Sequence, residues 1–353
     1  MTGRSARVLL TRGDDTPAEL VAARLDAPRD DEVLVRIEAV GLCHTDLATR
    51  AALGTTPAVL GHEGCGIVEQ VGSAVSEVRV GERVVLSFRS CGSCERCLDG
   101  APAYCDQAQR LNNAGRRPDG SATVTVDGHP VFASFFGQSS FASHALVAAG
   151  ACVPVGEAAP EVAAPLGCGF LTGAGAVLNV LRPGAGDRLL VVGAGGVGAA
   201  AVLAARSEGV EVIVVEPLAS RREMVGSFGA KACASFDELA DPGISHALDT
   251  SGRPEVVDRV LGLLDPLGTL AVVGLGQARA EIDVRRLMLR GLTLRGCVEG
   301  DAVPRELIPE LLRRHAAGTL PLDRLVTTFP LAEWDAAVAE QRAGRVLKPV
   351  LLP

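Results

Sequence analysis

Four cysteines, Cys91, Cys94, Cys97 and Cys105, follow the spacing C-x2-C-x2-C-x7-C, with Gly92 and Gly100 to turn the loop between them. Four thiolates on one short loop are the ligand set of a tetrahedral zinc ion, and a site closed by four sulfurs keeps no position for a substrate, so its role is structural. The rival reading is an iron–sulfur cluster. The bacterial ferredoxin run ends in C-x3-C-P, whereas Cys105 follows a longer gap and precedes Asp106. A second set is scattered through Gly41-Leu42-Cys43-His44-Thr45-Asp46, Gly61-His62-Glu63-Gly64 and Gly167-Cys168-Gly169. Taken singly, a cysteine beside a glycine reads as well as core. Together Cys43, His62 and Cys168 form a Cys2His set, which leaves a fourth zinc position open to water or substrate.

A third pattern is Gly193-Ala194-Gly195-Gly196-Val197-Gly198, a G-x-G-x-x-G turn between an apolar strand and a helix starting near Ala199. Glycines there let the backbone approach a pyrophosphate, and the helix N-terminus supplies free N–H donors. Glu216 ends the next predicted strand, where an acid accepts hydrogen bonds from an adenine ribose and disfavours a 2′-phosphate; this points to NAD. Arg221 and Arg222 lie close by, either as a solvated helix face or as partners for a 2′-phosphate.

These residues need two different kinds of scaffold. The first ~155 residues read as β-rich, with Val33, Val35, Ile37 and Ala39 alternating with Leu34, Arg36 and Glu38 as in a strand that has one buried and one mostly polar face. Helical periodicity is scarce there, and 106–130 reads as a long surface loop. From about Gly184 apolar strands (188–192, 210–215, 245–248, 268–273, 292–296) alternate with helices (199–208, 220–228, 254–264), the rhythm of a doubly wound parallel sheet. Helices near 305–315 and 331–341 and a strand near 346–352 follow, a tail expected to return to the first domain.

The chain has 353 residues, 34 Lys+Arg against 42 Asp+Glu and a formal charge of −8, which argues against nonspecific binding to nucleic acid. The apolar stretches 162–181 and 189–205 are broken by glycine clusters, so no membrane span is expected, and the N-terminus carries no leader pattern. Ten cysteines in a reducing compartment point to metal chemistry, and the expected location is cytoplasmic.

Over nearly its whole length, through the Gly41 to Asp46, Gly61 to Gly66, Cys91 to Cys105, Gly167 to Thr172 and Gly193 to Gly198 motifs, the sequence resembles the zinc-dependent medium-chain alcohol dehydrogenases. Val85-Leu86-Ser87-Phe88, Pro102-Ala103-Tyr104-Cys105 and the segment from Phe135 to Phe141 resemble the benzyl and aryl-alcohol branch. The resemblance implies an α/β chain with a GroES-like β-rich catalytic domain (1–155 and 297–353) and a doubly wound Rossmann domain (156–296). It implies a catalytic zinc on Cys43, His62 and Cys168, a structural zinc on Cys91, Cys94, Cys97 and Cys105, and NAD held by His44, Thr172, Gly193, Gly195, Gly196, Val197, Gly198, Glu216, Arg221 and Lys348.

Glu63 is expected behind the zinc as an occasional ligand, Asp46 as the hydrogen-bond partner that orients His62, and Thr45 as the first hydroxyl of a proton relay, with His44 on the pyrophosphate and near the exit to solvent. Many family members carry a histidine where this chain has Ala48, so the relay's last link differs. Cys65, Cys152, Cys233 and Cys297 read as core residues, His129, His144, His246 and His315 match no motif, and Tyr104 and Trp334 are expected to pack locally. The implied activity is hydride transfer between a primary, aromatic or allylic alcohol/aldehyde pair and NAD in a homodimer, or alternatively a tetramer. Two other activities use the same fold: a thiol-adduct formaldehyde dehydrogenase and a biosynthetic tailoring reductase. A noncatalytic nucleotide-binding protein is disfavoured by the intact zinc triad. Ser87, Phe88, Leu111, Phe136 and Leu275 are the candidates for lining the substrate pocket.

Overall fold

The computed structural model describes residues 3–13, 16–239 and 243–353; Met1 and Thr2, where the leader reading begins, lie outside them. Six short strands form one sheet in the order Lys231–Cys233, Glu211–Val215, Arg188–Val192, Ile244–Asp249, Leu264–Val272, Thr293–Gly296, all parallel. Numbered along the chain this is the order 3-2-1-4-5-6 of a dinucleotide-binding sheet, with its switch point beside the strand Arg188–Val192. Leu189, Leu190 and Val191 are fully buried because helices cover both faces. The strand Lys231–Cys233 was not apparent in the sequence, since three residues are too short for a period to register.

The N-terminal part carries a second sheet in the order Val326–Pro330, Lys348–Leu352, Glu32–Gly41, Gly64–Val71, Arg83–Leu86, Cys152–Pro154, with His144–Ala148 also paired to Glu32–Gly41. The chain's tail thus joins the sheet that holds its beginning. Val33, Val35 and Ile37 face one core, as the alternation requires, but Leu34 on the opposite face is buried too. It is covered by a four-stranded antiparallel sheet of Arg4–Leu10, Glu19–Leu25, Val124–Val126 and His129–Pro130, which corrects the one-sided reading.

Two further expectations are corrected. The stretch 106–130 is not one surface loop: it holds the helix Ala108–Asn113 and two strands. Arg117 pins it down, donating to both carboxylate oxygens of Glu32 (2.7 and 2.8 Å) and to Asp26 (2.7 Å). Helix is also present in the β-rich part, as His44–Leu53. Its apolar face is weak, and it is started by a cap: the Asp46 carboxylate accepts from the Cys43 N–H at 3.0 Å, satisfying a donor that would otherwise be left open.

The apolar stretch at 162–181 folds as two helical segments, Pro160–Gly167 and Gly169–Leu181, bent by 65° about Cys168. No single helix among the described residues is long and apolar enough to cross a membrane. The bend places Cys168 at the end of a segment packed on the seven-stranded sheet and leaves Gly169–Gly175 packed on the glycine-loop helix.

Candidate active site

Cys43, His62, Glu63 and Cys168 come from three separate segments, yet one ligand atom from each lies within 4.8 Å of all the others. Asp46 organises this group. Its Oδ1 accepts from His62 Nδ1 (2.8 Å) and from the Gly61 N–H (3.1 Å), while Oδ2 takes the Cys43 N–H. His62 Nδ1 is therefore the protonated nitrogen, and Nε2 is turned into the site, fully buried and with no hydrogen-bond partner. An orphaned imidazole nitrogen beside two thiols is a costly arrangement unless a metal takes all three, so the donor set fits zinc.

Electrostatics agree with that use. A hydrogen bond from Cys168, acting against burial and aided by His62 and Lys348, holds the Cys43 thiol well below its ordinary value. The same bond and burial push the Cys168 thiol well up. Burial alone would lower His62, but the charges of Asp46 and Cys43 outweigh it and raise the group.

Glu63 is fully buried behind the group. Its Oε1 accepts from the Gly169 N–H (2.9 Å) and from Lys348 Nζ (2.7 Å), and Oε2 lies 2.6 Å from the same ammonium. Burial raises the Glu63 carboxyl to about 7 against the pull of Lys348. Lys348 also donates to the Leu42 carbonyl and is 3% exposed. The Lys348 ammonium is thus engaged by Glu63, and its stem lies beside Gly196, where a Cβ would stand 3.8 Å from it at the start of the glycine-loop helix.

Thr45 is half-buried with Oγ1 3.7 Å from Cys43 Sγ, and His44 next to it is exposed. Thr172 lies on the helix after Cys168, 9% exposed, with Oγ1 3.3 Å from Glu299 Oε2.

The nucleotide loop follows the division of labour expected of its three glycines. Gly193 turns with φ +91°, a Cβ on Gly195 would meet only open space, and a Cβ on Gly198 would lie 1.9 Å from the Gly193 carbonyl. The open side of Gly195 and the twelve-residue helix Gly196–Ser207 form a cradle that a pyrophosphate fits. Glu216 is nearly buried, accepting from the N–H groups of Ala194 (2.8 Å) and Leu218 (3.0 Å). Two of its lone pairs are thus spent on holding the loop, and others stay open to a ribose. Arg221 and Arg222 are not a solvated face. Arg222 caps the carbonyls of Glu216 and Pro217, whereas Arg221 reaches the Gln341 carbonyl with Nη1 3.9 Å from Glu216.

The second cluster is equally clear. Cys94 and Cys97 sulfurs are 3.5 Å apart, Cys91 and Cys97 3.9 Å, and Cys94 and Cys105 4.0 Å. Sulfurs on a tetrahedron with ~2.3 Å bonds would be about 3.8 Å apart, so the set is closed around a zinc-sized centre. Backbone N–H groups of Ser93 and Cys94 point at Cys91 Sγ and lower its thiol to about 6.

Beside Phe136, already a pocket candidate, the contributions of Phe135, Gln138, Glu299 and Tyr104 escaped sequence reasoning. Phe136 stacks on His62 with ring centroids 4.5 Å apart, and Phe135 meets its edge at 5.3 Å. Gln138 donates to the His62 carbonyl (2.9 Å) and accepts from the Gly64 N–H. Glu299 places Oε1 3.4 Å from Cys168 Sγ. Tyr104, expected to pack locally, instead donates to Asp301 at 2.6 Å and accepts from the Val298 N–H, which joins the four-cysteine lobe to the turn that follows the last parallel strand. The signal available for the first two was the unusual Phe-Phe-Gly-Gln-Ser-Ser run; Ser134, Phe136 and Ser139 there all have positive φ, a strained loop of the sort found around sites. Of the pocket candidates, Phe136 faces the histidine, Ser87 spends its hydroxyl on the Gly167 carbonyl, and Leu275 is 71% exposed.

Residues 29–157 match the family described as Alcohol dehydrogenase GroES-like domain, and residues 196–317 match the family described as Zinc-binding dehydrogenase. A geraniol dehydrogenase of Castellaniella defragrans is 42% identical, with 99% of this chain and 98% of the relative aligned. The crystal structure of an alcohol dehydrogenase zinc-binding domain protein from Burkholderia ambifaria superposes with a TM-score of 0.95 at 41% identity, covering 99% of this chain and 100% of the other. That of a benzyl alcohol dehydrogenase from Acinetobacter calcoaceticus gives 0.93 at 37% identity, covering 99% of each.

Proposed function

This chain belongs to the zinc-dependent medium-chain alcohol dehydrogenases, an alcohol/aldehyde oxidoreductase with zinc and NAD as cofactors, and from that membership we propose that its substrates are primary alcohols with an aromatic or allylic group next to the carbinol carbon. The observation that carries the reading is the buried, unpartnered His62 Nε2 beside Cys43 and Cys168, with the aromatic wall of Phe135 and Phe136 against the same imidazole. Flat, unsaturated substrates suit such a wall. The geraniol and benzyl alcohol dehydrogenases, named for an allylic and a benzylic alcohol, support the same class.

In this reading Cys43, His62 and Cys168 hold the catalytic zinc, Cys91, Cys94, Cys97 and Cys105 hold the structural one, and the Gly193 to Gly198 loop with Glu216 holds NAD. Zinc supplies a Lewis acid that makes an alcohol more acidic, and NAD supplies the hydride acceptor. The protein's own work is positional. Asp46 fixes the tautomer and angle of His62, and Glu63 with Lys348 neutralises the space behind the ligands. Thr45 Oγ1 would take the substrate hydroxyl proton while passing its own hydroxyl proton on to solvent water beside exposed His44, a route that needs no histidine at Ala48. Phe136 excludes water from one side of the imidazole.

The domain division is placed at 1–155 with 297–353, and 156–296. The edge strand Thr293–Gly296, exposed along its length, together with exposed Met288 and Leu289, supports a homodimer over a tetramer. Ten cysteines without a disulfide suit a reducing, cytoplasmic setting.

The test is a panel of alcohols with NAD and zinc-replete protein, read as NADH absorbance at equal concentrations. Benzyl alcohol and geraniol should be oxidised faster than ethanol or cyclohexanol. No NADH from any aryl or allylic alcohol, or turnover only of formaldehyde with a thiol, would defeat the proposal. Light scattering checks the dimer.

A further inference from the structure

Glu299 stands in the turn Glu299–Asp301 that follows the last parallel strand, where Glu299, Gly300 and Asp301 have φ of +50°, +66° and +49°. Such backbone persists in non-glycine residues where the surroundings over-determine it, and here they do. Asn179 Nδ2 donates to the Gly300 carbonyl (3.0 Å), a Cβ on Gly175 would come within 2.5 Å of the same oxygen, and Tyr104 holds Asp301. This fixed turn delivers a carboxylate to the rim of the zinc triad: Oε1 is 3.4 Å from Cys168 Sγ and Oε2 3.3 Å from Thr172 Oγ1.

Among the described residues no lysine or arginine pairs with Glu299, unlike Glu63, which has Lys348. Once Cys168 serves as a metal ligand its sulfur is a thiolate and cannot donate a hydrogen bond. The carboxylate then keeps only the Thr172 hydroxyl, while the thiolates of Cys43 and Cys168 cancel the charge of the zinc they would hold, so a buried carboxylate there has no net cation beside it and is costly until one joins it. The cofactor brings one. Its redox ring must reach the zinc triad, which Glu299 borders, and it carries a positive charge when oxidised and none when reduced.

We infer that Glu299 is the counter-charge of the oxidised nicotinamide, so that this site favours NAD+ over NADH more than its loop contacts alone would. The inference rests on the NAD reading above. It is tested by equilibrium binding to zinc-loaded wild type and Glu299→Gln: NADH by its own fluorescence, NAD+ and ADP-ribose by displacement of NADH.

The variant should bind NAD+ about tenfold more weakly, the scale of one partly screened charge pair. NADH and ADP-ribose should stay within about twofold, with the zinc content unchanged. NAD+ and NADH weakening together, or neither changing, overturns the inference. If Glu299→Gln does not fold, the pair Glu299→Asp and Glu299→Asn carries the same comparison, and equal NAD+/NADH affinity ratios in the two overturn it. Wild type that binds neither NAD+ nor NADH would instead defeat the nucleotide reading.

Discussion

Replacing Asp46 by Asn tests whether the zinc triad is preset by its neighbours. The carboxylate is fully buried and accepts three bonds, from His62 Nδ1 at 2.8 Å, Gly61 N at 3.1 Å and Cys43 N at 3.0 Å. Asn keeps one oxygen, which can serve His62 and Gly61, but turns an NH2 toward the Cys43 N–H. One charge-assisted bond is lost, worth ~1.5–3 kcal/mol, and two donors are left facing each other. Most of that cost falls on Cys43 and His62 together, the two ligands whose geometry Asp46 sets, and so appears as lost zinc affinity. About 2 kcal/mol is roughly a 30-fold weakening, inside the 10–100-fold range for groups that orient metal ligands. Stripping with a chromophoric chelator reads both sites at once. D46N should release one zinc per chain at about 30-fold lower chelator strength than wild type while the other zinc is unmoved. Identical release curves, or both ions weakening in parallel, would refute the argument.

Cys94→Ser should leave about one zinc per chain, by metal analysis, and lower the thermal midpoint by ~5 °C or more, because metal affinity at a structural site is folding energy; two retained ions would count against the four-sulfur assignment. Lys348→Met strands Glu63 as a buried charge, at a cost of about 3 kcal/mol near pH 8 in the zinc-free protein. The Glu63 carboxyl is already lifted from 4.5 to about 7 by burial, and losing the ammonium lifts it further. Between those values the folded state holds a proton that the unfolded state has released, so stability falls as pH rises and the variant recovers toward pH 6. Urea melts showing equal losses at pH 6 and 8 would contradict this. Glu216→Ser removes the carboxylate 3.9 Å from Arg221 and should raise the NADP-to-NAD ratio of kcat/KM at least about tenfold; an unchanged ratio means that the acid does not read the ribose.

The parts of this protein that were legible in its sequence are those where chemistry restricts residue type. Only a few side chains bind zinc, and a closed four-sulfur loop must be short, so Cys91 to Cys105 announces itself. The glycine loop is similar, since Gly198 cannot tolerate a Cβ 1.9 Å from a carbonyl. The central strands of the parallel sheet were visible because burial on both faces demands apolar runs, although strand ends shifted by up to four residues, as for Leu264–Val272 against 268–273, and the short edge strand Lys231–Cys233 was missed.

What was hidden is the set of groups that complete the site through ordinary hydrogen bonds. Gln138 meets His62 across 76 residues of chain, Glu299 meets Cys168 across 131, and Lys348 meets Glu63 across 285. Gln, Glu and Lys occur on any surface, and only burial makes them exceptional. Burial follows from long-range packing, which no local spacing reports. The Glu63 partner of Lys348 was hidden for this reason. The lysine's basic type invites a phosphate, but only its depth, three percent exposed, shows that a carboxylate of the chain already lies beside it. A charged residue's type therefore gives the sign of its partner, and its depth decides whether that partner comes from the chain or from outside.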